Sequence, residues 1–203
     1  IAAVQRFDSG ELDRVLKRAV TELGNQGLIQ RVIAPLAQSI GELWREGRIT
    51  AAHEHFATAV LRVFLGQSAR VFAGGESAPV LIVGTPHGQL HELGAAIVAV
   101  SASHAGWRVI YLGASLPAAE LAGAARQNSA RAVALSLVYP EDDPRLASEL
   151  LRLRELLPPA ISILAGGRAA GSYRETLAAM GAIQVHDLPG LDAALDALRR
   201  PAT

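Results

Sequence analysis

The first third of the chain has apolar residues every three or four positions, which is the spacing of one face of an α-helix. One apolar stripe follows Ser9, a residue type that favours the N-cap, and stops at Gly24, where a helix end is expected. A second stripe covers residues 28–44, in which Pro35 is expected to bend the helix, and Gly47 to end it. Both stripes predict helices of a bundle.

A third apolar stripe predicts a helix that Thr50 caps and that runs through Phe64. A short fourth helix is expected near the first residue. We therefore interpret residues 1–75 as a helical bundle. The small, glycine-rich stretch at residues 73–78 is expected to be the linker that follows it.

Beyond residue 79 the pattern changes to short apolar runs separated by amphipathic stretches of helical length. Buried β-strands are predicted at residues 80–83, 109–112, 132–138, 161–165 and 183–185. Strands that alternate with helices form a parallel sheet covered on both faces. The predicted fold class is therefore α + α/β: the helical bundle, then a flavodoxin-like (Rossmann-type) domain over residues 79–203 with strand order 2-1-3-4-5.

Charge and composition narrow the function. The chain has 203 residues, 50% of them hydrophobic, and its 19 basic and 19 acidic side chains give a formal net charge of zero. Dispersed charges supply no basic face for a nucleic-acid backbone, so DNA would be contacted only through a domain outside this chain. Residue 1 is not Met, and we expect such a domain upstream. The absence of cysteine and of a long apolar run favours the cytoplasm and argues against a membrane.

The loops at the carboxyl ends of the strands are where a sheet of this kind binds ligands. The loop after the first predicted strand carries His91, whose imidazole can bind a metal. Ser136 and Val138 close the third strand, and Gly166 and Gly167 follow the fourth. Because a small hydroxyl and two glycines let a ligand approach the backbone, these positions predict a deep, narrow slot.

The spacing of glycines and of histidines in the sequence argues against two other kinds of site, a nucleotide-binding site and a zinc site. The glycines after the first strand do not form Gly-x-Gly-x-x-Gly, and the chain has no Gly-Lys-Ser/Thr, which argues against nucleotide-dependent chemistry. His53 and His55 flank Glu54 like the ligands of a zinc hydrolase. Residues two apart on a helix point about 200° apart, so these histidines cannot chelate one ion.

The strand-end residues resemble the cobalamin-binding signature Asp/Glu-x-His-x-x-Gly, Ser-x-Leu/Val, Gly-Gly. The matching residues are Gln89, His91, Gly94, Ser136, Val138, Gly166 and Gly167. In that family the histidine replaces the cofactor's dimethylbenzimidazole as the lower cobalt ligand. The resemblance implies that His91 binds cobalt, that Ser136 meets the released nucleotide tail, and that the two glycines let the tail pass.

The signature departs from the family at Gln89. The family has a carboxylate there, which orients the histidine and raises its basicity. Gln89 accepts through its carbonyl but supplies no negative charge. We therefore expect the lower bond between His91 and cobalt to be weaker or more easily displaced.

The helical part carries Trp44 and, after nine intervening residues, Glu54-His55. This pattern, together with the rest of the chain, resembles the CarH-type light sensors, which are adenosylcobalamin-dependent repressors of the MerR class. The resemblance implies that the helical bundle covers the upper face of the corrin. It also implies that Trp44 packs beside the adenosyl group, that Glu54 binds its ribose hydroxyls, and that His55 is a polar neighbour in the pocket.

A second departure from the family is Arg45, which stands where the best-known members have a histidine that binds cobalt after illumination. Arginine stays protonated and is no ordinary cobalt ligand. After photolysis, water, His53, His55 or another residue would have to occupy the upper face. His87 has no counterpart in the family and is interpreted as a loop histidine.

The resemblance implies a light-sensing module of a transcriptional regulator, in which light cleaves the cobalt–carbon bond and alters domain packing. We expect a homo-oligomer, a dimer or tetramer in the dark, and a ligand-coupled switch rather than an enzyme. One alternative is a corrinoid shuttle protein or mutase subunit that carries cobalamin for a partner enzyme. Another is a sensor that controls an effector other than DNA binding. Trp44 and Glu54-His55 favour the adenosyl-sensing function over the shuttle.

Overall fold

The computed structural model describes residues 1–69 and 77–199, and the chain divides into two compact units, Ile1–Val71 and Phe72–Thr203. Of the linker predicted at residues 73–78, positions 73–76 lie outside the described residues. No helix in the described ranges is both long enough and apolar enough to cross a membrane.

The first unit is helical, as predicted. Within residues 1–69 it consists of α1 (Ala2–Gln5), α2 (Ser9–Leu28), a π-turn (Ile29–Ile33), α3 (Ala34–Arg45) and α4 (Ala51–Ala69). The short helix α1 is the predicted fourth one. The core of this unit is formed by buried apolar side chains that include Leu16, Ile33, Ile40 and Leu61.

The start of α2 corrects one expectation. Asp8, not Ser9, is the N-cap, because its carboxylate accepts a hydrogen bond from the N–H of Glu11 at 2.8 Å. Both residue types cap helices, but Asp8 stands one position earlier and reaches the third amide of the helix. Gly24 does interrupt α2, with φ 68° and ψ 175°, a conformation that glycine adopts readily.

The irregularity expected at Pro35 takes the form of the π-turn Ile29–Ile33, which lies immediately before α3. Proline has no N–H to donate to the carbonyl of Arg31, and its ring crowds that carbonyl. A wider turn at this point relieves the crowding. Helix α3 then ends at Arg45, and Gly47 follows with φ 70°, as expected for a helix end.

At the start of α4, His53 takes part in capping the helix. The carbonyl of Thr50 accepts the N–H groups of His53 and Glu54, and the N–H of Thr50 donates to Nδ1 of His53 at 3.2 Å. His53 thus takes the reciprocal part that Glu or Gln plays in a capping box. Its ring also stacks on Phe7, with 4.4 Å between the ring centroids.

The second unit alternates strands and helices. Within residues 77–199 it contains β1 (Val80–Pro86), α5 (Leu93–His104), β2 (Arg108–Leu116), α6 (Ala118–Gln127), β3 (Ala132–Ser136), α7 (Pro144–Leu156), β4 (Ser162–Gly166), a 3-10 turn (Arg168–Tyr173), α8 (Arg174–Ala179), β5 (Ile183–Val185) and α9 (Leu188–Arg199). All pairs are parallel, in the order β2-β1-β3-β4-β5. The flavodoxin-like order is confirmed.

Both faces of the sheet are covered, which explains why its strands are apolar without alternation. On β1, Ile82 packs with the residues of α6, α7 and α8, whereas Leu81 and Val83 pack with those of α5 and α9. Several strand ends differ from the prediction: β2 extends to Leu116, and β4 starts and ends one residue later, at Ser162 and Gly166. Strand β1 runs on to Pro86, which pairs with Leu116 across two register shifts, and β3 stops at Ser136.

Candidate functional site

The segment between β1 and α5 carries His91 and is joined to β2 by hydrogen bonds. Thr85 is fully buried; its hydroxyl donates to the carbonyl of Gln89 and accepts the N–H of Ser115 at 2.8 Å. The hydroxyl of Ser115 in turn accepts the N–H of Gly88 at 3.1 Å. These bonds fix the backbone that precedes the histidine.

The side chain of Gln89 connects the same segment to the loop after β3 through three hydrogen bonds. Gln89 is 1% exposed, and its Oε1 accepts the N–H groups of Val138 at 2.7 Å and Tyr139 at 3.0 Å. Its Nε2 donates to the carbonyl of Pro140 at 2.9 Å. All these partners are backbone groups of one loop. Gln89 therefore uses its amide on residues 138–140 and not on His91.

His91 is half-buried, and its Nδ1 is buried with no hydrogen-bond partner among the described residues. Its ring meets the ring of Tyr139 edge to face, with centroids 5.7 Å apart and planes at 81°. Tyr139 is 49% exposed and Leu90, the residue before the histidine, is 70% exposed. The imidazole thus lies at an edge where apolar groups reach solvent. His87 is exposed in the same loop.

Gly94, Ser136 and Val138 come together at the end of β3. A Cβ on Gly94 would lie 2.5 Å from the hydroxyl oxygen of Ser136 and 4.0 Å from Cγ2 of Val138. Ser136 is 5% exposed, so its hydroxyl has little room to move. The first turn of α5 therefore requires a glycine in order to pack against this serine.

The two consecutive glycines at the end of β4, Gly166 within the strand and Gly167 after it, are required by the protein's own backbone. A Cβ on Gly166 would lie 2.6 Å from the carbonyl oxygen of Val185, and one on Gly167 would overlap the carbonyl oxygen of Leu137. Gly167 also has φ 101°. Gly166 pairs with Ser136 across β3 and β4, which brings the Gly-Gly and serine motifs to one edge of the sheet.

Glu54 lies in the first turn of α4, in the first unit, and its side chain is 16% exposed. Its Oε1 accepts the hydroxyl of Thr58 at 2.8 Å, and its Oε2 lies 3.0 Å from Nδ1 of His55. The side chain of His55 is 79% exposed. The carboxylate is therefore held by neighbours one and four positions further along the helix.

Trp44 and Arg45 form the last turn of α3. Trp44 is half-buried and Arg45 is exposed, so the tryptophan is not an enclosed core residue. The positions predicted from the strand ends come together within the second unit, whereas Trp44, Glu54 and His55 belong to the first.

Four supporting residues were missed from the sequence: Thr58, Thr85, Ser115 and Tyr139. Thr58 stands four residues after Glu54, a spacing that signals contact on one helix face. Thr85 is a polar residue within an apolar strand, which is also a detectable signal. No local pattern pairs Ser115 with the His91 segment, or Tyr139 with His91.

The residues at the strand ends fit a cobalamin. Cobalt in a corrin already has four ring nitrogens, so a single imidazole such as that of His91 is a sufficient protein donor. Within the described residues no group of three or more His, Asp or Glu side chains could hold a metal ion. The close fit of Gly94 against Ser136 also places a small hydroxyl beside the helix start, where a polar tail could bond to it.

Known proteins share this architecture. The chain is 30% identical over 174 residues to the HTH-type transcriptional repressor CarH of Myxococcus xanthus, and 29% identical over 184 residues to CarA of the same organism. The alignments cover 86% and 89% of this chain. They span only 58% and 61% of the two relatives. The resemblance to CarH-type proteins is thereby confirmed as sequence similarity.

A solved structure supports the fold. The monomethylamine corrinoid protein of Methanosarcina barkeri superposes with a TM-score of 0.70, at 15% identity, over 97% of this chain and 95% of that one. Models of the B12 binding domain match residues 79–195 and residues 1–67. The chain therefore belongs to the B12-binding domain family.

Proposed function

We propose that this chain is the adenosylcobalamin-binding, light-sensing module of a transcriptional regulator. The observation that supports this most is the state of Glu54, a largely buried carboxylate held by Thr58 and His55 ten residues after a half-buried Trp44. A fixed carboxylate retains lone pairs for hydroxyl donors such as those of a ribose. The similarity to two transcriptional repressors agrees with this proposal.

Each predicted residue has a part in the proposed complex. His91 would bind cobalt from below, Ser136 would bond to the nucleotide tail, and Gly166 and Gly167 would leave its path open. Three further residues would shape this lower site: Gln89, Gly94 and Val138. In the helical bundle at residues 1–75, which would cover the upper face, Trp44 would pack beside the adenosyl group and Glu54 would bind its ribose, with His55 beside it.

When bound, adenosylcobalamin supplies a cobalt–carbon bond that visible light breaks. Loss of the adenosyl group would remove the ligand contacts of Trp44 and Glu54. A ligand shifts a conformational equilibrium only through contacts that differ between the two states, and these two residues provide such contacts. We propose that the protein is a homo-oligomer in the dark, that light changes its packing, and that DNA is contacted by a separate domain.

A corrinoid carrier for a partner enzyme is the second candidate. The observation in its favour is the similarity in fold to the monomethylamine corrinoid protein. A carrier of methylcobalamin does not need a group that binds the adenosyl moiety. Selectivity for adenosylcobalamin over methylcobalamin therefore separates the sensor from such a carrier. A light-dependent change in molecular size separates it from a mutase subunit that holds adenosylcobalamin.

The test is to reconstitute the wild type, His91→Ala, Trp44→Ala and Glu54→Gln with adenosylcobalamin in the dark. Absorption spectrum and molecular size are then recorded before and after green light. In the wild type we expect light to change both the absorption spectrum and the molecular size. The His91→Ala variant should have a different spectrum in the dark. The Trp44→Ala and Glu54→Gln variants should lose selectivity for adenosylcobalamin over methylcobalamin. A wild-type spectrum unaltered by light would contradict the sensor. Equal affinity for the methyl form, with Trp44→Ala silent, would favour the carrier.

A further inference from the structure

We propose that Gln89 and Tyr139 position the imidazole of His91, with a hydrogen-bonded loop and a ring contact serving where a carboxylate partner is missing. The inference rests on the proposed role of His91 as the lower cobalt ligand. It assigns a positioning function to Tyr139, which lies 48 residues away in the chain from that histidine.

The first step is that the site of Gln89 requires an amide. Its oxygen accepts two backbone N–H groups, and its nitrogen donates to a carbonyl. A carboxylate could accept the same two N–H groups but would place an oxygen against the carbonyl of Pro140. Because the side chain is 1% exposed, water cannot relieve that repulsion. Gln89 is thus matched to its three partners.

The second step is that these bonds place Tyr139. One of them engages the N–H of Tyr139 itself, and the other two engage its neighbours Val138 and Pro140. With the backbone fixed on both sides, the ring of Tyr139 is carried to His91 and meets it edge to face at 5.7 Å. Such a geometry is the favourable one for two aromatic rings.

The third step is that ring packing is what orients the imidazole. The buried Nδ1 of His91 has no hydrogen-bond partner in the described part of the chain. The carboxylate of the next residue, Glu92, accepts the hydroxyl of Tyr111 on β2 at 2.7 Å. An imidazole without an anionic partner is a weaker donor to a metal, so its lower bond depends more on the direction in which the ring is held.

The first test uses the cofactor-free protein and needs no cobalamin. Amide hydrogen exchange at Val138 and Tyr139 is compared in the wild type, Gln89→Ala and Gln89→Glu, with Gln127→Glu as the matched change at an exposed position. We expect exchange about tenfold faster in Gln89→Ala, a smaller acceleration in Gln89→Glu, which still offers an acceptor to both N–H groups, and no change in the control. Exchange at wild-type rates in Gln89→Ala would overturn the proposal that the hydrogen bonds of Gln89 hold residues 138–140, which we call the clamp.

The second test follows the imidazole in Tyr139→Phe and Tyr139→Leu. Proton chemical shifts of the His91 ring, read without cofactor, should stay near wild type in the phenylalanine variant and move in the leucine variant. With Co(II) cobalamin bound to protein labelled with ¹⁵N-histidine, the nitrogen splitting in the electron paramagnetic resonance spectrum distinguishes a histidine on cobalt from the cofactor's own dimethylbenzimidazole. We expect it to persist with phenylalanine and to weaken with leucine, and equal spectra in the two variants would overturn the role of the ring.

The Gln89→Glu variant separates two roles of residue 89 in the paramagnetic resonance measurement: holding the loop at residues 138–140, or orienting His91 directly. A carboxylate that oriented His91 would strengthen the nitrogen splitting, whereas a broken clamp weakens it. Strengthening would therefore overturn the inference. A spectrum in His91→Ala identical to that of the wild type would overturn the lower-ligand proposal, while the exchange test would still decide whether Gln89 holds the loop.

Discussion

The two units hold their candidate site residues in different ways. Around His91 the positions are set by backbone packing and by hydrogen bonds between segments far apart in the chain, such as those from Gln89 to residues 138–140. Around Glu54 they are set by side chains of one helix, one and four residues away. The proposed cobalamin site around His91 therefore depends on the tertiary structure of the second unit, whereas the proposed adenosyl contact of Glu54 depends on neighbours within one helix.

The largest expected effect is that of Gly167→Ala. The added methyl would overlap the carbonyl of Leu137 at a backbone φ of 101°. We expect the free energy of unfolding to fall by about 3–5 kcal/mol or the protein to be insoluble. Chemical denaturation of the cofactor-free protein measures this. Gly171→Ala, where the same methyl meets open space, should stay within about 1 kcal/mol of the wild type. Equal stability of the two variants would contradict the packing.

Next in size is Gly94→Ala, which sets a methyl 2.5 Å from the hydroxyl oxygen of Ser136. A loss of about 1–3 kcal/mol in unfolding free energy is expected, together with weaker cobalamin binding. Adding Ser136→Ala removes that oxygen and leaves the Cβ of residue 136, at 3.6 Å, as the nearest atom. The double variant should recover most of the lost stability, and strict additivity of the two changes would count against this contact.

Thr58→Val tests the helical unit and should have a smaller effect. The substitution keeps the shape but removes the hydroxyl that Glu54 accepts at 2.8 Å. We expect a loss of about 0.5–1.5 kcal/mol in unfolding free energy. Titration in the dark should show lower affinity for adenosylcobalamin and unchanged affinity for methylcobalamin. An equal loss for both ligands would mean that Thr58 acts only on the fold.

The smallest effect concerns pH. Burial lowers the pKa of His104, at the end of α5, below its ordinary value of about 6.5. The unfolded chain then binds more protons than the folded one, so the stability contribution is complete above that value and is lost as the pH falls towards the folded pKa. Denaturation of wild type and His104→Gln at pH 5 and pH 8 should show a shallower pH dependence in the variant. If the wild type and His104→Gln lost equal stability between pH 8 and pH 5, His104 would not be a source of the pH dependence.

The periodic patterns predicted the helices of the bundle, the strands and their order, because burial on one helix face or between two helical layers repeats in the sequence. The ends of elements were less predictable. Strand β1 reaches Pro86 only because shifts of register at Gly84 let it follow β2, and such shifts leave no periodic trace. Asp8 and Ser9 are both good caps, and the sequence alone does not distinguish the helix start that Asp8 caps from one that begins a residue later.

The strand-end motifs were visible in the sequence, and the structure brings Gly94 to Ser136 and Ser136 to Gly166. What Gln89 does was not visible. Its partners are peptide groups, which every residue possesses, and they lie 49 to 51 positions away. A partner of this kind appears only when the chain has folded.

The π-turn at Ile29–Ile33 fixes the side of α3 on which each of its residues lies. A π-turn takes in one residue more than an α-helical turn, and one residue corresponds to a rotation of about 100°. Because the wider turn takes up this extra residue, deleting one residue of the turn would restore a regular helix with Trp44 on its present face. Deleting one residue of α3 between the turn and Trp44 would instead rotate the tryptophan by about 100°. Two deletions of one codon, only a few positions apart, would therefore differ in whether Trp44 keeps the face on which its proposed ligand contact depends.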